Sequence, residues 1–110
     1  MVTTMLKEDK ALAARLGQAL QRQSLCCATA ESCTGGLIGA LLTSVPGSSE
    51  WYVGGIVSYS NGVKERLLGV PRLDLEQHGA VSEAVVRQMA MGACAATGAV
   101  LHLIRPLGFD

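Results

Sequence analysis

A short apolar run from Leu25 to Thr29 leads into Thr29-Ala30-Glu31-Ser32-Cys33-Thr34-Gly35-Gly36, and helix is expected next, from about Gly35 to Thr43. A buried strand, a glycine-rich loop and a helix in that order open a parallel α/β unit, because parallel strands need a crossover and a helix supplies one. Pro46-Gly47 stops that helix, and Ile56-Val57-Ser58-Tyr59 after Gly54-Gly55 reads as the next strand.

Helices surround this unit. Leu12, Leu16, Ala19 and Leu20 recur at helical spacing over about Asp9 to Gln23, with Arg15, Gln18 and Arg22 on the opposite side. Ser60 or Asn61 caps a helix that carries Lys64 in its first turn and Gly69 just past its end. Pro71 to His78 is expected to be a connector with one short helical turn. Ser82 caps a long helix that runs to Thr97 and stops at Gly98, and Ala99 to Ile104 is a third strand candidate. The order predicts one domain over residues 1–110, an open sheet covered by helices, with ligands at the carboxyl ends of the strands.

Composition narrows the function classes. Net charge is zero and aromatic residues make up 4% of the chain, so the basic field and stacking platforms of a nucleic-acid binder are not expected. The longest uncharged stretch, Gln88 to Ile104, is interrupted by Gly92, Thr97, Gly98 and His102 and falls short of the roughly 20 apolar residues of a membrane span. The first ten residues mix both charge signs and lack the apolar core of a secretory signal, which predicts a cytoplasmic protein. Cys26, Cys27, Cys33 and Cys94 show no C-x-x-C spacing and His78 and His102 lie far apart, so buried reduced thiols are expected and a metal site is not.

Several residues can carry chemistry. Thr34-Gly35-Gly36 at a strand-to-helix junction offers backbone N–H groups to a phosphate or carboxylate, or else forms a structural tight turn. Ser49 follows Pro46-Gly47-Ser48 in a turn that suits a nucleophile or an ordinary loop serine. A serine needs a base, and Lys64 near a helix N-terminus has its neutral form favoured by the dipole. Tyr59 can relay a proton or donate to an oxyanion. A solvated lysine and a half-buried tyrosine are the alternative reading of the same residues. Cys33, near a helix N-terminus, is a rival nucleophile, with no histidine placed to assist it.

Thr29 to Gly36, Pro46-Gly47-Ser48-Ser49, Val57-Ser58-Tyr59-Ser60-Asn61 with Lys64, and Gln77-His78-Gly79-Ala80-Val81-Ser82 together resemble the CinA C-terminal domain family, in order from about Leu16 to Val100. The resemblance implies a three-layer α/β/α sandwich with an open, mostly parallel sheet. It also implies a nicotinamide-nucleotide amidohydrolase of the pyridine nucleotide cycle and NAD salvage. Such an enzyme converts nicotinamide mononucleotide to nicotinic acid mononucleotide and ammonia. Ser49 would be the nucleophile or its closest equivalent, Tyr59 and Lys64 its activating partners, and Glu31, Ser32, Thr34, Gly35 and Gly36 the substrate pocket. No cofactor or metal is implied, the expected partner is a small pyridine nucleotide, and homo-oligomers remain open.

The tail Leu101 to Asp110 departs from the family pattern. It reads as what a frameshift or misplaced stop leaves, with a short variant as the alternative, and Arg105 cannot take the role of the family's later basic residue on spacing. The domain is thus expected to lack its C-terminal portion and to expose a sheet edge. It would keep the nucleophile half of the site and bind substrate weakly or not at all. Besides the enzyme, a non-catalytic nucleotide-binding module and an inactive remnant are the readings this leaves.

Overall fold

The structure, a computed structural model, describes the backbone of residues 2–99 and the side chains of residues 8–99. The tail 101–110, Arg105 included, and all but the first residue of the strand expected at Ala99–Ile104 lie outside the described residues.

Helix α1 spans Val2–Arg22 and buries Ala13 and Leu20, with Leu16 packed partly beneath it. At Gly17 the helix lies directly on the Trp51 indole, where a Cβ would fall 2.6 Å from Nε1. Trp51 is buried against it, and truncating a core tryptophan costs about 3–5 kcal/mol. Ser24 takes a positive φ and the Leu25 N–H returns to the Leu20 carbonyl, which reverses the chain toward the sheet.

Strand β1, Cys27–Glu31, pairs in parallel with β2, Tyr52–Val57. Between them run α2, Leu37–Thr43, and a 3-10 helix, Ser48–Glu50. The register sets Cys27 opposite Tyr52 but Ala28 opposite Gly54, so one residue of β2 bulges out. Gly54 and Gly55 therefore lie inside the strand rather than ahead of it. A Cβ on Gly55 would come 2.7 Å from the Tyr52 hydroxyl, which bonds the Thr29 hydroxyl at 2.7 Å across that space.

Three helices follow: α3, Asn61–Leu68, α4, Arg72–His78, and α5, Glu83–Thr97. The segment expected to hold a single helical turn thus forms a complete short helix. Ser82 accepts the Val85 N–H and Gly98 closes α5 with a left-handed backbone, as the caps predict. Side chains along β1 alternate between two cores. Cys27 joins Leu20, Leu42 and Trp51 on the α1/α2 side, whereas Ala28 joins Leu68, Val85, Met89 and Ala93 on the α5 side. A sheet with helices packed on both faces is an α/β/α sandwich, and the expected fold class holds. Burial raises the Cys27 thiol to about 11, with the neighbouring Cys26 and Cys94 adding to it, so this sulfur is inert. Among the described residues no helix is long and apolar enough to cross a membrane.

Candidate active site

The carboxyl ends of β1 and β2 converge on one buried lysine. β1 ends at Glu31, which is 4% exposed. One of its carboxylate oxygens accepts the Thr34 hydroxyl at 2.7 Å and the Ile38 N–H at 2.8 Å, while the other accepts the Gly39 N–H at 2.9 Å. The first N–H groups of a helix have no partner within it. Gly36 precedes α2 with φ 106° and supplies no side-chain cap, so Glu31 satisfies these donors from seven and eight residues upstream. The amides this carboxylate takes are those of Ile38 and Gly39, and of the three the sequence offers to a ligand's anion, that of Gly35 donates to the Ser32 carbonyl.

Lys64 stands in the first turn of α3, whose start is fixed by the Ser60 hydroxyl accepting the Val63 N–H at 3.2 Å. It is 2% exposed. Its amine donates to the Ser32 hydroxyl at 3.1 Å and to the Tyr59 main-chain carbonyl at 3.0 Å, and it forms no ion pair among the described residues. Burial pulls its pKa below the ordinary lysine value, and the nearby Cys33 partly opposes that. The buried Ser58 ties the two strand ends together, its N–H donating to the Glu31 carbonyl at 2.7 Å. Ser32 and Lys64 thus meet across adjacent strand ends on a fixed frame.

The geometry divides the residues singled out in sequence. Lys64 lies at the centre. Tyr59 reaches it through its backbone carbonyl, and its side chain points outward, the residue being 82% exposed. Ser49 sits in the 3-10 helix before β2 begins, whereas Lys64 follows the end of β2. Six strand residues separate the two ends, a span of about 17–20 Å. The structure does not bring Ser49 to Lys64. It brings Ser32, expected only as a substrate contact. The signal for Ser32 was present in the rule that open parallel sheets bind ligands at carboxyl strand ends, since Ser32 follows its strand and Ser49 precedes its own.

A groove of about 1070 Å³ runs along β1 between α1, α2 and α5, with apolar walls that include Leu16, Ile38 and Met89. Ser32, Cys33 and Thr34 line it as well. No cluster of His, Cys, Asp and Glu suited to a metal ion occurs among the described residues.

The Lys64 shift has a consequence for stability. With both states protonated, folding carries the cost of burying the ammonium. As pH rises through the lowered folded value the native amine releases its proton while the unfolded chain still holds one, so stability rises with pH up to about 10.4. Urea unfolding at stepped alkaline pH is expected to show wild-type stability gaining on that of Lys64→Met across this window, and a constant difference would refute the shift.

Buried amine on hydroxyl, at the carboxyl end of a parallel sheet in an α/β/α sandwich, defines the class: an α/β domain with a Ser-Lys pair at the carboxyl end of its sheet. The CinA C-terminal domain matches residues 9–103, and the chain belongs to that family. A nicotinamide-nucleotide amidohydrolase PncC from Pseudomonas putida is 54% identical over 88 residues, 80% of this chain and 55% of that protein. A CinA-like protein from Synechococcus sp. (strain CC9902) is 54% identical over 86 residues, 78% of this chain but 20% of the relative. Among solved structures, the competence/damage inducible protein CihA from Agrobacterium tumefaciens superposes with a TM-score of 0.79 at 42% identity, covering 83% of this chain and 55% of that one. A CinA superfamily protein from Escherichia coli gives 0.81 at 35% identity, covering 83% and 53%. The chain thus spans about half the length of these solved structures and of the Pseudomonas relative, and a fifth of the longer one.

Proposed function

We propose that this chain carries the nucleophile and base of a nicotinamide-nucleotide amidohydrolase, with Ser32 as the nucleophile and Lys64 as its general base. The observation that carries this reading is the Lys64 amine, buried with no carboxylate partner among the described residues and 3.1 Å from the Ser32 hydroxyl. The substrate class comes from the relative of Pseudomonas putida, whose name states that activity.

In this mechanism the neutral Lys64 amine takes the Ser32 proton as the oxygen attacks the carboxamide carbon. The resulting ammonium returns the proton to the departing nitrogen, and ammonia leaves with an acyl-Ser32 behind it. Water then attacks the acyl group as Lys64 accepts its proton, the bond to Ser32 breaks with that proton passing to the serine oxygen, and nicotinic acid mononucleotide is released. The N–H groups of Cys33 and Thr34, which follow Ser32 in the chain, are not engaged by another described residue, which suits them to the developing oxyanion. Tyr59 contributes its carbonyl, which orients the amine. Glu31 faces α2, its carboxylate taken up by the Ile38 and Gly39 amides.

Ammonia release from nicotinamide mononucleotide, nicotinamide riboside and NAD tests the reading. Turnover is expected with the mononucleotide, rising with pH along a limb set by Lys64 that lies below the ordinary lysine value. Nucleotide binding without ammonia release would favour the non-catalytic module instead.

A further inference from the structure

Glu31 is an unusual residue to find buried at the end of a strand. A carboxylate removed from water is costly unless hydrogen bonds replace its hydration. Here three donors do so, and all three belong to the segment that follows Ser32: the Thr34 hydroxyl and the Ile38 and Gly39 amides. Ser32 itself is the next residue along the chain. The loop from Ser32 to Gly36 is therefore clamped at both ends by one side chain, through the covalent link to Ser32 on one side and through the start of α2 on the other.

The inner geometry of the loop depends on that clamp. Gly35 and Gly36 both take positive φ, at 62° and 106°, and the Gly35 N–H donates to the Ser32 carbonyl at 3.1 Å. A loop containing two glycines in left-handed conformation has many alternatives when released. Gly39 lies close beneath the carboxylate: a Cβ there would come 3.4 Å from the second Glu31 oxygen and 3.1 Å from the Tyr52 hydroxyl. The Tyr52 hydroxyl bonds Thr29, the residue two before Glu31 on the same face of β1. Acid side chain, helix start and strand are thus locked together on the α1/α2 side, while Ser32 alone turns toward Lys64.

We propose that Glu31 is a positioning residue, whose carboxylate holds the β1–α2 loop so that the Ser32 hydroxyl meets the Lys64 amine, and that it makes no contact with substrate. The inference rests on the reading of Ser32 as nucleophile. It assigns Glu31 a role different from that of a pocket residue, and the two roles separate kinetically. A clamp acts on the reacting geometry and so on kcat; a substrate contact acts on KM.

Glu31→Gln is the informative substitution, because glutamine matches the shape but has one acceptor oxygen. Either orientation sets its NH2 group against a backbone N–H, that of Ile38 or that of Gly39. The expected result with nicotinamide mononucleotide is a fall in kcat of about 10²-fold, the effect of a misplacement on the order of 1 Å, with KM within about threefold of wild type. Thr34→Val removes one donor only and is expected to lower kcat less, again without raising KM. It also serves where Glu31→Gln fails to fold.

Hydrogen exchange supplies a readout independent of turnover. The amides of Gly35 and of residues 37–39 are expected to lose protection in Glu31→Gln while those of α5 keep theirs. Labelling of Ser32 by a fluorophosphonate probe should slow in parallel. A Glu31→Gln protein with wild-type kcat, or with KM raised and kcat kept, would overturn the proposal, as would a KM increase in Thr34→Val. If wild-type protein neither releases ammonia nor labels at Ser32, the catalytic reading fails on its own. The clamp is then decided by exchange alone, where unchanged protection of the Gly35 amide and of residues 37–39 in Glu31→Gln or Thr34→Val would sink it.

Discussion

Ser32→Ala is expected to lower kcat/KM for amide hydrolysis by about 10⁴-fold, while Ser49→Ala stays within about twofold of wild type. The first figure follows from removing the nucleophile in a site where, among the described residues, the base has no other hydroxyl to serve: the Lys64 amine donates to Ser32 and to a main-chain carbonyl. The second follows from place, since Ser49 lies before β2 and Lys64 after it. Lys64→Met should match the loss seen in Ser32→Ala, and the double variant should be little worse than either single one, because the two groups act as a unit. Ammonia release under saturating and limiting substrate checks all four proteins. A Ser49→Ala variant as damaged as Ser32→Ala, with its circular dichroism spectrum intact, would return the nucleophile to Ser49.

The contrast between the two serines shows which parts of this protein could be read from its residues. Helix limits were legible wherever a cap is a local chemical event. Ser60 and Ser82 each accept an N–H three residues on, and Gly69 and Gly98 end their helices at positive φ. Strand limits were less legible. β1 begins two residues later than Leu25 because the Leu25 N–H still serves the last turn of α1, and that turn is closed by a left-handed Ser24 that no pattern announces. Gly54 and Gly55 looked like punctuation before β2, yet they pair with Ala28 and Thr29 inside it, where the absence of a side chain admits the Thr29–Tyr52 hydrogen bond.

The site followed the same division. That Lys64 sits in the first turn of a helix is local and was visible; that its amine is buried on Ser32, 32 residues away, is a product of strand pairing. The family resemblance puts Glu31 with the ligand contacts, at the head of a glycine-rich loop. It is in fact the last residue of β1, and its partners at positions 38 and 39 are reached only because the intervening loop folds back on itself. Spacing along a chain codes for helix and strand periodicity, and it does not code for a loop that closes on its own acid.

A large expected effect on stability belongs to a residue with no chemistry. Gly92 lies in the middle of α5, where glycine costs roughly 1 kcal/mol relative to alanine, so Gly92→Ala would stabilise the helix if nothing stood nearby. Something does: a Cβ at this position would collide with the Leu68 carbonyl oxygen and lie 2.6 Å from the Leu68 carbonyl carbon. Those atoms are backbone at the end of α3 and cannot rotate away, so one helix must shift. Overpacking of this kind is expected to cost about 3 kcal/mol net, lowering the melting midpoint by roughly 10–20 °C. Gly62→Ala is the matched control, because a Cβ there meets nothing within 4 Å, and it should gain up to about 1 kcal/mol. The shift also reaches the site. Lys64 lies one turn before Leu68 on α3, and its carbonyl accepts the Val70 N–H, so a displaced α3 carries the amine away from Ser32. Calorimetry and ammonia release on the same samples below the melting range should therefore show Gly92→Ala losing both stability and turnover. A variant that keeps its midpoint would mean that the α3–α5 contact is looser than drawn.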